Sequence, residues 1–306
     1  MNVMKDGLLL VDKHNGCTSH DVVATARRIL RIKKIGHCGT LDPSATGLLL
    51  LTVGRATRLT RFLIQAPKTY EGTIRFGINT DTYDLDGEVV RERPAEGLDE
   101  AAIRRAMEGF VGTSLQTPPP YCAKKVGGVK YYELARRGEA VPQDPKEVTI
   151  YGFEPLGDWS PGQDLAFRMS CVSGTYARSL ANDLGEALGC GGVLSSLRRT
   201  KVGPFDVSDA LPLDTLRQRT EEGEDLSTAW MPFDEIPLPF GEVTADPQQE
   251  RRIQHGQTVL MRELDGREGD WIKVLNKRHK LIAIGSVIER IGSGKVGVIQ
   301  PKVVFQ

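Results

Sequence analysis

One acidic residue lies in a loop whose composition could support chemistry. Asp42 stands in the segment 36–47, which has the sequence GHCGTLDPSATG. A side-chain carboxylate can form a covalent adduct with a substrate and later release it. An aspartate that precedes a proline is also a common turn former or helix cap. The loop alone does not separate these interpretations, so the motif has to be judged as a whole string and with the rest of the chain.

Other familiar motifs are incomplete. Gly292–Gly297 matches G-x-G-x-x-G, but only nine residues follow it, too few for the helix and strand of a dinucleotide site. Asp84–Gly87 resembles part of a calcium loop, yet Thr82 replaces the first acid and Arg93 replaces the bidentate glutamate. The five histidines lack metal-ligand spacing, and neither a Walker loop nor a G-x-S-x-G elbow occurs. We therefore expect no metal site and no common NTPase or hydrolase mechanism.

The composition limits the class of protein further. Lys and Arg total 40 and Asp and Glu total 40, so the formal net charge is zero and any nucleic acid has to be bound by local patches. Five cysteines without a C-x-x-C pair argue against a disulfide framework or structural zinc and favour a reducing compartment. The longest strongly apolar run, 48–51, is far shorter than the ~20 residues of a membrane span, and Asp6 does not suit a signal peptide. We expect a soluble, cytoplasmic protein.

Periodicity places the candidate residues on regular elements. Leu8–Val11 is typical of a buried strand, and Thr18 offers a cap to the amphipathic helix that follows. A second helix is predicted from about Ala56 to Pro67. Tyr70 falls on the apolar face of an alternating strand, and Arg178 falls in the first turn of a helix that ends at a glycine.

The length predicts about two domains, at ~150 residues each. Between Asp206 and Gly241 the chain becomes polar and then proline-rich, and short β-like runs follow. We place a large domain at residues 1–236, with a basic insertion at about 121–146, and a small β-rich domain at 237–306.

As a whole string, the loop 36–47 resembles the catalytic motif of the TruB family, the bacterial tRNA pseudouridine-55 synthases. The resemblance covers about residues 5 to 215, and the C-terminal part more weakly resembles a PUA-like domain. Cys122 follows Tyr121 where the family often has serine, outside the catalytic positions. The further segments that match family motifs in order and approximate spacing are Leu10–Lys13, Lys68–Tyr70, Thr80–Gly87, Pro119–Tyr121, Ser173–Leu180 and Leu197–Thr200.

The resemblance implies a fold and an activity. The fold would be the α+β pseudouridine-synthase fold, with a mixed, mostly antiparallel central sheet, flanking helices and a small β-rich PUA-like C-terminal domain. The activity would be the isomerisation of uridine 55 in the T arm of tRNA to pseudouridine by base flipping. It would need no cofactor, no metal and no guide RNA.

The resemblance also assigns three catalytic residues. Asp42 would be the nucleophile, attacking either C6 of the uracil or C1′ of the ribose. Arg178 would pair with this carboxylate, and a buried aspartate does need a cationic partner to stay charged. Tyr70 would stack on the target base and help to remove the C5 proton, although a core tyrosine would show the same pattern.

Four residues would bind the substrate nucleotide. His37 would insert into the space that the flipped base vacates and stack there. Lys13 and Leu197 would line the pocket. Asp84 would contact the RNA near the flipped base or support the site.

Basic stretches would contact the RNA backbone and give salt-dependent affinity, while the shape of the folded arm would give selectivity. Basic residues near the C-terminus would touch the acceptor arm, and each stretch alone would also fit a solvated face. The chain would act on tRNA as a monomer, without an obligatory protein partner or a membrane. The backbone candidates are Arg27, Arg31, Lys124, Lys125, Lys130, Arg136, Arg198, Arg199, Lys277 and Arg278.

Two alternatives stay open. The first is a non-catalytic tRNA-binding or tRNA-folding protein, against which the presence of Asp42, Tyr70 and Arg178 argues. The second is a guide-RNA-dependent synthase of a protein–RNA complex, which usually carries charged tails. This sequence ends at Phe305-Gln306 without such a tail, and activity on bare tRNA transcript would exclude the need for a guide.

Overall fold

The computed structural model describes residues 5–122, 125–126, 129–130, 144–292 and 295–305. Within these residues, the strands form an eleven-stranded sheet, a five-stranded sheet and two two-stranded sheets. The strands are β1 (Gly7–Lys13), β2 (Ile35–His37), β3 (Thr46–Val53), β4 (Lys68–Phe76), β5 (Ile78–Thr80), β6 (Val89–Glu92), β7 (Gly112–Gln116), β8 (Lys125–Val126), β9 (Val129–Lys130), β10 (Lys146–Pro155), β11 (Leu165–Cys171), β12 (Gly192–Val202), β13 (Phe205–Asp206), β14 (Leu211–Pro212), β15 (Trp230–Pro232), β16 (Gly241–Ala245), β17 (Val259–Met261), β18 (Trp271–Asn276), β19 (Leu281–Ile291) and β20 (Val296–Val304).

The large sheet is mixed and mostly antiparallel. Its order is β14-β1-β3-β12-β4-β11-β10-β7, while β15, β2 and β13 pair at the side with β1, β3 and β12. In the described chain the parallel pairs of this sheet are β1 with β14 and β3 with β12. The predicted mixed, mostly antiparallel sheet with flanking helices is confirmed.

The strands β1 and β3 form the centre of the core. Leu8–Val11 and Leu48–Leu51 are buried apolar runs, and Leu9 lies opposite Leu51 in antiparallel register. Such continuous runs are typical of strands that are covered on both faces. These strands carry the two ends of the segment that contains Asp42.

Helices cover the sheet. In the helix that follows β1, Thr18 is the predicted cap and Val22 and Ala26 of the predicted apolar stripe are buried; the structure adds Asp21, which completes a capping box with Thr18. The α-helices in the described residues are α1 (Ser19–Leu30), α2 (Thr60–Leu63), α3 (Glu100–Glu108), α4 (Ala177–Ala187), α5 (Leu213–Glu222) and α6 (Pro247–Gln254). None of the described helices is long and apolar enough to span a membrane.

The helix predicted from about Ala56 to Pro67 is wrong in its form. The chain makes a 3-10 helix at Gly54–Leu59 and then the single turn of α2. The tight turn starts directly at Gly54, which has a φ of +61° and whose N–H donates to the carbonyl of Lys34. The two short helices place Ala56, Leu59 and Leu63 in the core.

The C-terminal part forms the predicted small β-rich unit. Its strand order is β16-β18-β19-β20-β17, and its own core includes Ile272, Val274 and Ile299. It packs on the large domain through aromatic rings, because Phe62 contacts Trp271 at 5.0 Å between ring centroids. The two units therefore share part of one apolar core.

Candidate active site

The segment that carries Asp42 is held on both sides by hydrogen bonds. The Nζ of Lys13 donates to the carbonyls of Pro43 at 3.0 Å and Ala45 at 2.6 Å. On the other side of the aspartate, the N–H of Leu41 donates to the hydroxyl of Ser19 at 2.9 Å. These contacts fix the backbone immediately before and after Asp42.

Lys13 is placed differently from its predicted role as a pocket-lining residue. Its side chain is fully buried behind the loop, and its third contact is the carbonyl of His14 at 3.1 Å. Three carbonyls thus face the three N–H bonds of the ammonium group. Burial lowers the pKa of Lys13. In the described structure this lysine supports the loop and does not reach the large cavity.

Gly47 brings the loop against a distant strand. It has a φ of +98°, and a Cβ on it would lie 2.3 Å from the carbonyl oxygen of Arg199 in β12. A residue with a side chain could not adopt this approach without displacing the backbone of β12. The close contact places Asp42 beside the strand that carries Leu197 and Arg199.

Arg178 forms an ion pair with Asp42. Its Nε lies 2.9 Å from Oδ2 of Asp42, and its Nη1 lies 3.5 Å from Oδ2 of Asp84. The guanidinium also donates to the carbonyls of Thr82 at 3.1 Å and Tyr121 at 2.9 Å. The side chain of Arg178 is 8% exposed and that of Asp42 is 44% exposed, so the cation is fixed in the protein while the carboxylate faces solvent.

Asp84 lies behind the pair. Its carboxylate accepts from the hydroxyl of Thr82 and, at 3.1 Å, from the N–H of Asp86. Burial raises the pKa of Asp84, and the Thr82 hydroxyl and Arg178 act in the opposite direction. Together with Asp42 and Arg178 it lines a small cavity of about 40 Å³. This position fits the supporting one of the two roles that the sequence suggests for Asp84.

A larger cavity of about 580 Å³ opens beside Asp42. Its walls include Tyr70 from β4 and Leu197 from β12, so two of the predicted residues meet the Asp42–Arg178 pair here. Burial raises the pKa of Tyr70, while the positive charge of Arg199 acts against this shift. The raised pKa means that the phenol is neutral at neutral pH, and it can therefore donate a hydrogen bond to a bound ring.

Two buried cations line the cavity, Arg199 and Lys68, and the sequence analysis did not place them in the pocket. Arg199, predicted as a phosphate contact, is 1% exposed, and it donates from Nε to the carbonyl of Leu48 at 2.7 Å and from Nη2 to that of Gly39 at 3.1 Å. It is too deeply buried to reach a backbone phosphate, so that prediction is corrected. Lys68 is 3% exposed and also lines the cavity.

Strand alternation could have identified both cations. Side chains two residues apart share a face of a strand, so Arg199 belongs with Leu197 and Lys68 belongs with Tyr70. Arg198 points the other way, where it is partly exposed and its Nη2 lies 2.7 Å from Oδ2 of Asp12. The same argument therefore separates the two neighbouring arginines.

His37 lies at the end of β2, before the loop. Its ring is edge-on to that of His20, with 5.5 Å between centroids, and its buried Nδ1 has no hydrogen-bond partner among the described residues. Burial is the main cause that lowers the pKa of His37, and His20 and Arg199 add to it. The imidazole is therefore neutral at neutral pH. Among the described residues, His37 is not part of the wall of the large cavity.

The other predicted backbone contacts lie apart from the cavity. Arg27 and Arg31 are exposed near the end of α1, and Lys277 and Arg278 are exposed between β18 and β19. Lys124 and Arg136 lie outside the described residues. Lys125 and Lys130 belong to β8 and β9, but their side chains are outside the description.

Comparison with known proteins assigns the chain to a family. Residues 27–177 match the TruB family pseudouridylate synthase (N terminal domain), and residues 178–236 match the tRNA pseudouridylate synthase B C-terminal domain. The chain is 41% identical over 290 residues to tRNA pseudouridine synthase B of Burkholderia pseudomallei (strain 668), covering 94% of each chain. It is 50% identical over 211 residues to the protein of that name from Opitutus terrae, covering 69% of this chain and 87% of that protein.

Solved structures share the fold over nearly the whole chain. Cbf5 in a Cbf5-Nop10-Gar1 complex superimposes with a TM-score of 0.74 at 26% identity, covering 98% of this chain and 85% of that chain. Cbf5 in an archaeal box H/ACA sRNP Nop10-Cbf5 complex gives a TM-score of 0.73 at 25% identity, covering 98% and 86%. Together with the sequence matches, this similarity shows that the chain belongs to the TruB family and is a tRNA pseudouridine synthase.

Proposed function

We propose that this chain isomerises uridine 55 in the T arm of tRNA to pseudouridine, with Asp42 as the nucleophile and without a guide RNA. The observation that carries the proposal is the geometry around Asp42. Its carboxylate is held by Arg178 at 2.9 Å and stands at the wall of a cavity that also contains Tyr70 and Leu197. A charged nucleophile, an aromatic ring and an aliphatic side chain together fit a flat, polar ring next to a ribose.

The target base has to leave its stack to reach Asp42. The carboxylate lies in a concave site, and a base inside a folded RNA arm presents only its edges. Once flipped, the uracil would lie against Tyr70 and Leu197. The neutral imidazole of His37 would stack in the vacated space, because an uncharged ring stacks there without a desolvation cost for an ion.

The chemical step needs one covalent intermediate and no net change of atoms. The carboxylate of Asp42 attacks C6 of the uracil or C1′ of the ribose. The bond between N1 and C1′ breaks, the base turns, and a bond between C5 and C1′ forms. On the C1′ route the bond from Asp42 to C1′ breaks as the bond between C5 and C1′ forms, and on the C6 route the bond from Asp42 to C6 breaks after that step. The proton then leaves C5 and one is gained at N1. Because the phenol of Tyr70 is neutral, its hydroxyl would orient the uracil by donating a hydrogen bond to it. To accept the C5 proton, Tyr70 would first have to lose its own proton.

Backbone contacts would supply affinity and orientation. The described candidates on the surface are Arg27, Arg31 and Arg198 near the catalytic domain's first helix and β12, and Lys277 and Arg278 on the C-terminal unit. Phosphate contacts of this kind carry no sequence information and weaken as salt rises. We propose that the C-terminal pair meets the acceptor arm. Lys124, Lys125, Lys130 and Arg136 stay proposed contacts of the basic insertion.

We also propose that the protein works as a cytoplasmic monomer, with domains at 1–236 and 237–306. Its five cysteines are free, which suits a reducing compartment.

The test is tritium release from tRNA transcript labelled at C5 of uridine, with EDTA present and without other RNA or protein. We expect close to one equivalent of release per tRNA, lost when uridine 55 is replaced by cytidine. Asp42→Asn should abolish release and keep tRNA affinity within a few fold, because an amide is a poor nucleophile. The matched control is Asp214→Asn, on the exposed first turn of α5, which should retain full release.

The outcomes separate the competing interpretations. No release by the wild-type protein together with intact tRNA binding would favour a tRNA-binding or tRNA-folding protein. Release that requires an added guide RNA would favour the guide-dependent alternative. An active Asp42→Asn variant would refute the assignment of the nucleophile.

A further inference from the structure

Buried cations are in excess around Asp42: Lys68, Arg178 and Arg199 line the cavity, and Lys13 lies behind the loop. Lys13, Lys68, Arg178 and Arg199 are each less than one-tenth exposed. The carboxylates that accompany them in the described site are Asp42 and Asp84, and both pair with Arg178. Within the part of the chain that the structure describes, Lys13, Lys68 and Arg199 form no ion pair with a carboxylate. Four cations thus stand against two anions.

Burying a cation without an anion destabilises the folded protein unless hydrogen bonds satisfy all of its N–H groups. A buried cation that lacks such partners therefore points to a function. Lys13 is satisfied by three carbonyls of the loop. Lys68 donates to two carbonyls, those of Ile64 at 2.5 Å and Ala66 at 2.7 Å, and its ammonium has three N–H donors. Arg199 donates to two carbonyls, those of Leu48 and Gly39. Of the three, Lys68 and Arg199 are the ones that line the cavity.

We propose that Lys68 and Arg199 stabilise the negative charge that the uracil ring acquires during the reaction. This inference rests on the proposed function and extends it to the floor of the same site. A fixed positive charge in a site shielded from water acts where charge develops, and it acts more strongly there than it would in water. Arg199 lies opposite Tyr70 in the register of β12 with β4 and lines the same cavity, so its charge acts on a ring that contacts Tyr70.

The charge arises on either chemical route. If C1′ is attacked, the electron pair of the N1–C1′ bond stays with the departing base, which becomes an anion. If C6 is attacked, the electron pair of the C5–C6 double bond moves towards O4. In both cases the ring carries added negative charge from the breaking of the N1–C1′ bond until C5 bonds to C1′. The two cations therefore act on a state that both routes share.

The test compares two RNA substrates on each protein sample. One is tRNA with uridine at position 55, and the other carries 5-fluorouridine there, whose fluorine withdraws electrons and stabilises a ring anion without help. The loss of the starting nucleoside is measured under single-turnover conditions after nuclease digestion. The ratio of the two rates does not depend on the folded fraction of a sample, so a destabilised variant still gives a valid result.

We expect Lys68→Met to lower the single-turnover rate about a hundredfold with the uridine substrate and about tenfold with the fluorinated substrate. A loss of this size is typical when one group that stabilises a developing anion is removed. Lys68→Arg keeps the charge and should keep the wild-type ratio. The matched control is Lys146→Met, because Lys146 lines the same cavity but is exposed. This control should leave the ratio of the two rates unchanged.

Two results would overturn the inference. One is an equal loss on both substrates in Lys68→Met, which would assign the lysine a purely structural role. The other is a loss of tRNA affinity with an unchanged rate in the bound state, which would assign it to a phosphate. Failure of the wild-type protein to convert uridine 55 would instead refute the proposed function.

Discussion

Arg178 connects three separate parts of the site, so its replacement by lysine is an informative perturbation. The guanidinium contacts Asp42 through Nε at 2.9 Å, Thr82 through Nη1 at 3.1 Å and Tyr121 through Nη2 at 2.9 Å. A lysine ammonium is a compact charge on a flexible stem and cannot reproduce a planar fork. Arg178→Lys therefore keeps the charge and loses the geometry.

The size of the effect follows from the contacts that are lost. A hydrogen bond to a charged group contributes about 1.5–3 kcal/mol, so misplacing the Asp42 carboxylate by losing it should slow the chemical step about thirtyfold. The carbonyls of Thr82 and Tyr121 lose their donors inside the protein, at about 1 kcal/mol or more each in the free energy of unfolding. The ion pair itself adds little to folding, because the Asp42 side chain is 44% exposed.

The assay measures three quantities on the same protein. These are the single-turnover rate of tritium release, the tRNA dissociation constant and the urea midpoint of unfolding. Arg217→Lys is the matched control, since Arg217 is exposed on α5 and pairs only weakly with Asp214. We expect this control to match the wild-type protein in all three measurements.

The reasoning would be refuted if Arg178→Lys kept its single-turnover rate within threefold of the wild-type value. A weaker tRNA affinity with an unchanged rate in the bound state would also contradict it, because Arg178 would then contact the RNA rather than orient Asp42. A lower urea midpoint without a change in rate would leave Arg178 as a structural residue alone.

Three further predictions test the surroundings of Asp42. Lys13→Met leaves three carbonyls without their donor and should lower the free energy of unfolding by about 2–4 kcal/mol in urea titration. The control Lys295→Met removes an exposed lysine and should change this free energy by less than about 0.5 kcal/mol. Equal urea midpoints for the two variants would contradict the prediction. Gly47→Ala places a Cβ against the backbone of Arg199 at a positive φ, so it should lower the free energy of unfolding by about 2 kcal/mol or more and slow tritium release. The control Gly256→Ala is also at a positive φ but has open space around it, and it should lower the free energy of unfolding by about 1 kcal/mol. Burial lowers the pKa of Lys68 to about 8, so its positive charge is lost as the pH rises through that value and the single-turnover rate should fall there. Lys68→Arg should remove this fall. The same pH–rate profile in Lys68→Arg and the wild-type protein would count against a role for the charge of Lys68.

Local patterns predicted the elements that carry the site. The cap at Thr18 and the stripe of Val22 and Ala26 fix α1, and both depend on residues within one or two turns. Tyr70 follows from strand alternation, and Arg178 follows from the start of the apolar stripe of α4. Such signals lie in neighbouring residues, so one sequence is sufficient to recognise them.

Contacts between distant segments were not available from the same patterns. The bond from Arg199 to Leu48 joins residues 151 positions apart, and that from Arg178 to Thr82 joins residues 96 apart. Lys13 illustrates the consequence, because a lysine at a strand end is usually solvated and only the folded loop supplies the carbonyls that bury it. The order of strands, which brings β12 between β3 and β4, decides these contacts.

The net charge of zero does not describe the electrostatics of the site, because the fold and not the composition decides which charges are buried there. Among the described residues the buried charged side chains are Lys13, Lys68, Arg178 and Arg199, and these few lie nearest to the site, where they contribute most to the field at a bound base. Within that field the ion pair is asymmetric, since Arg178 is anchored by two carbonyls and Asp42 is the exposed partner. In the reaction that we propose, the carboxylate bonds to the substrate and then returns, and this arrangement allows it. The cation stays in place, and the proposed nucleophile is the more exposed member of the pair.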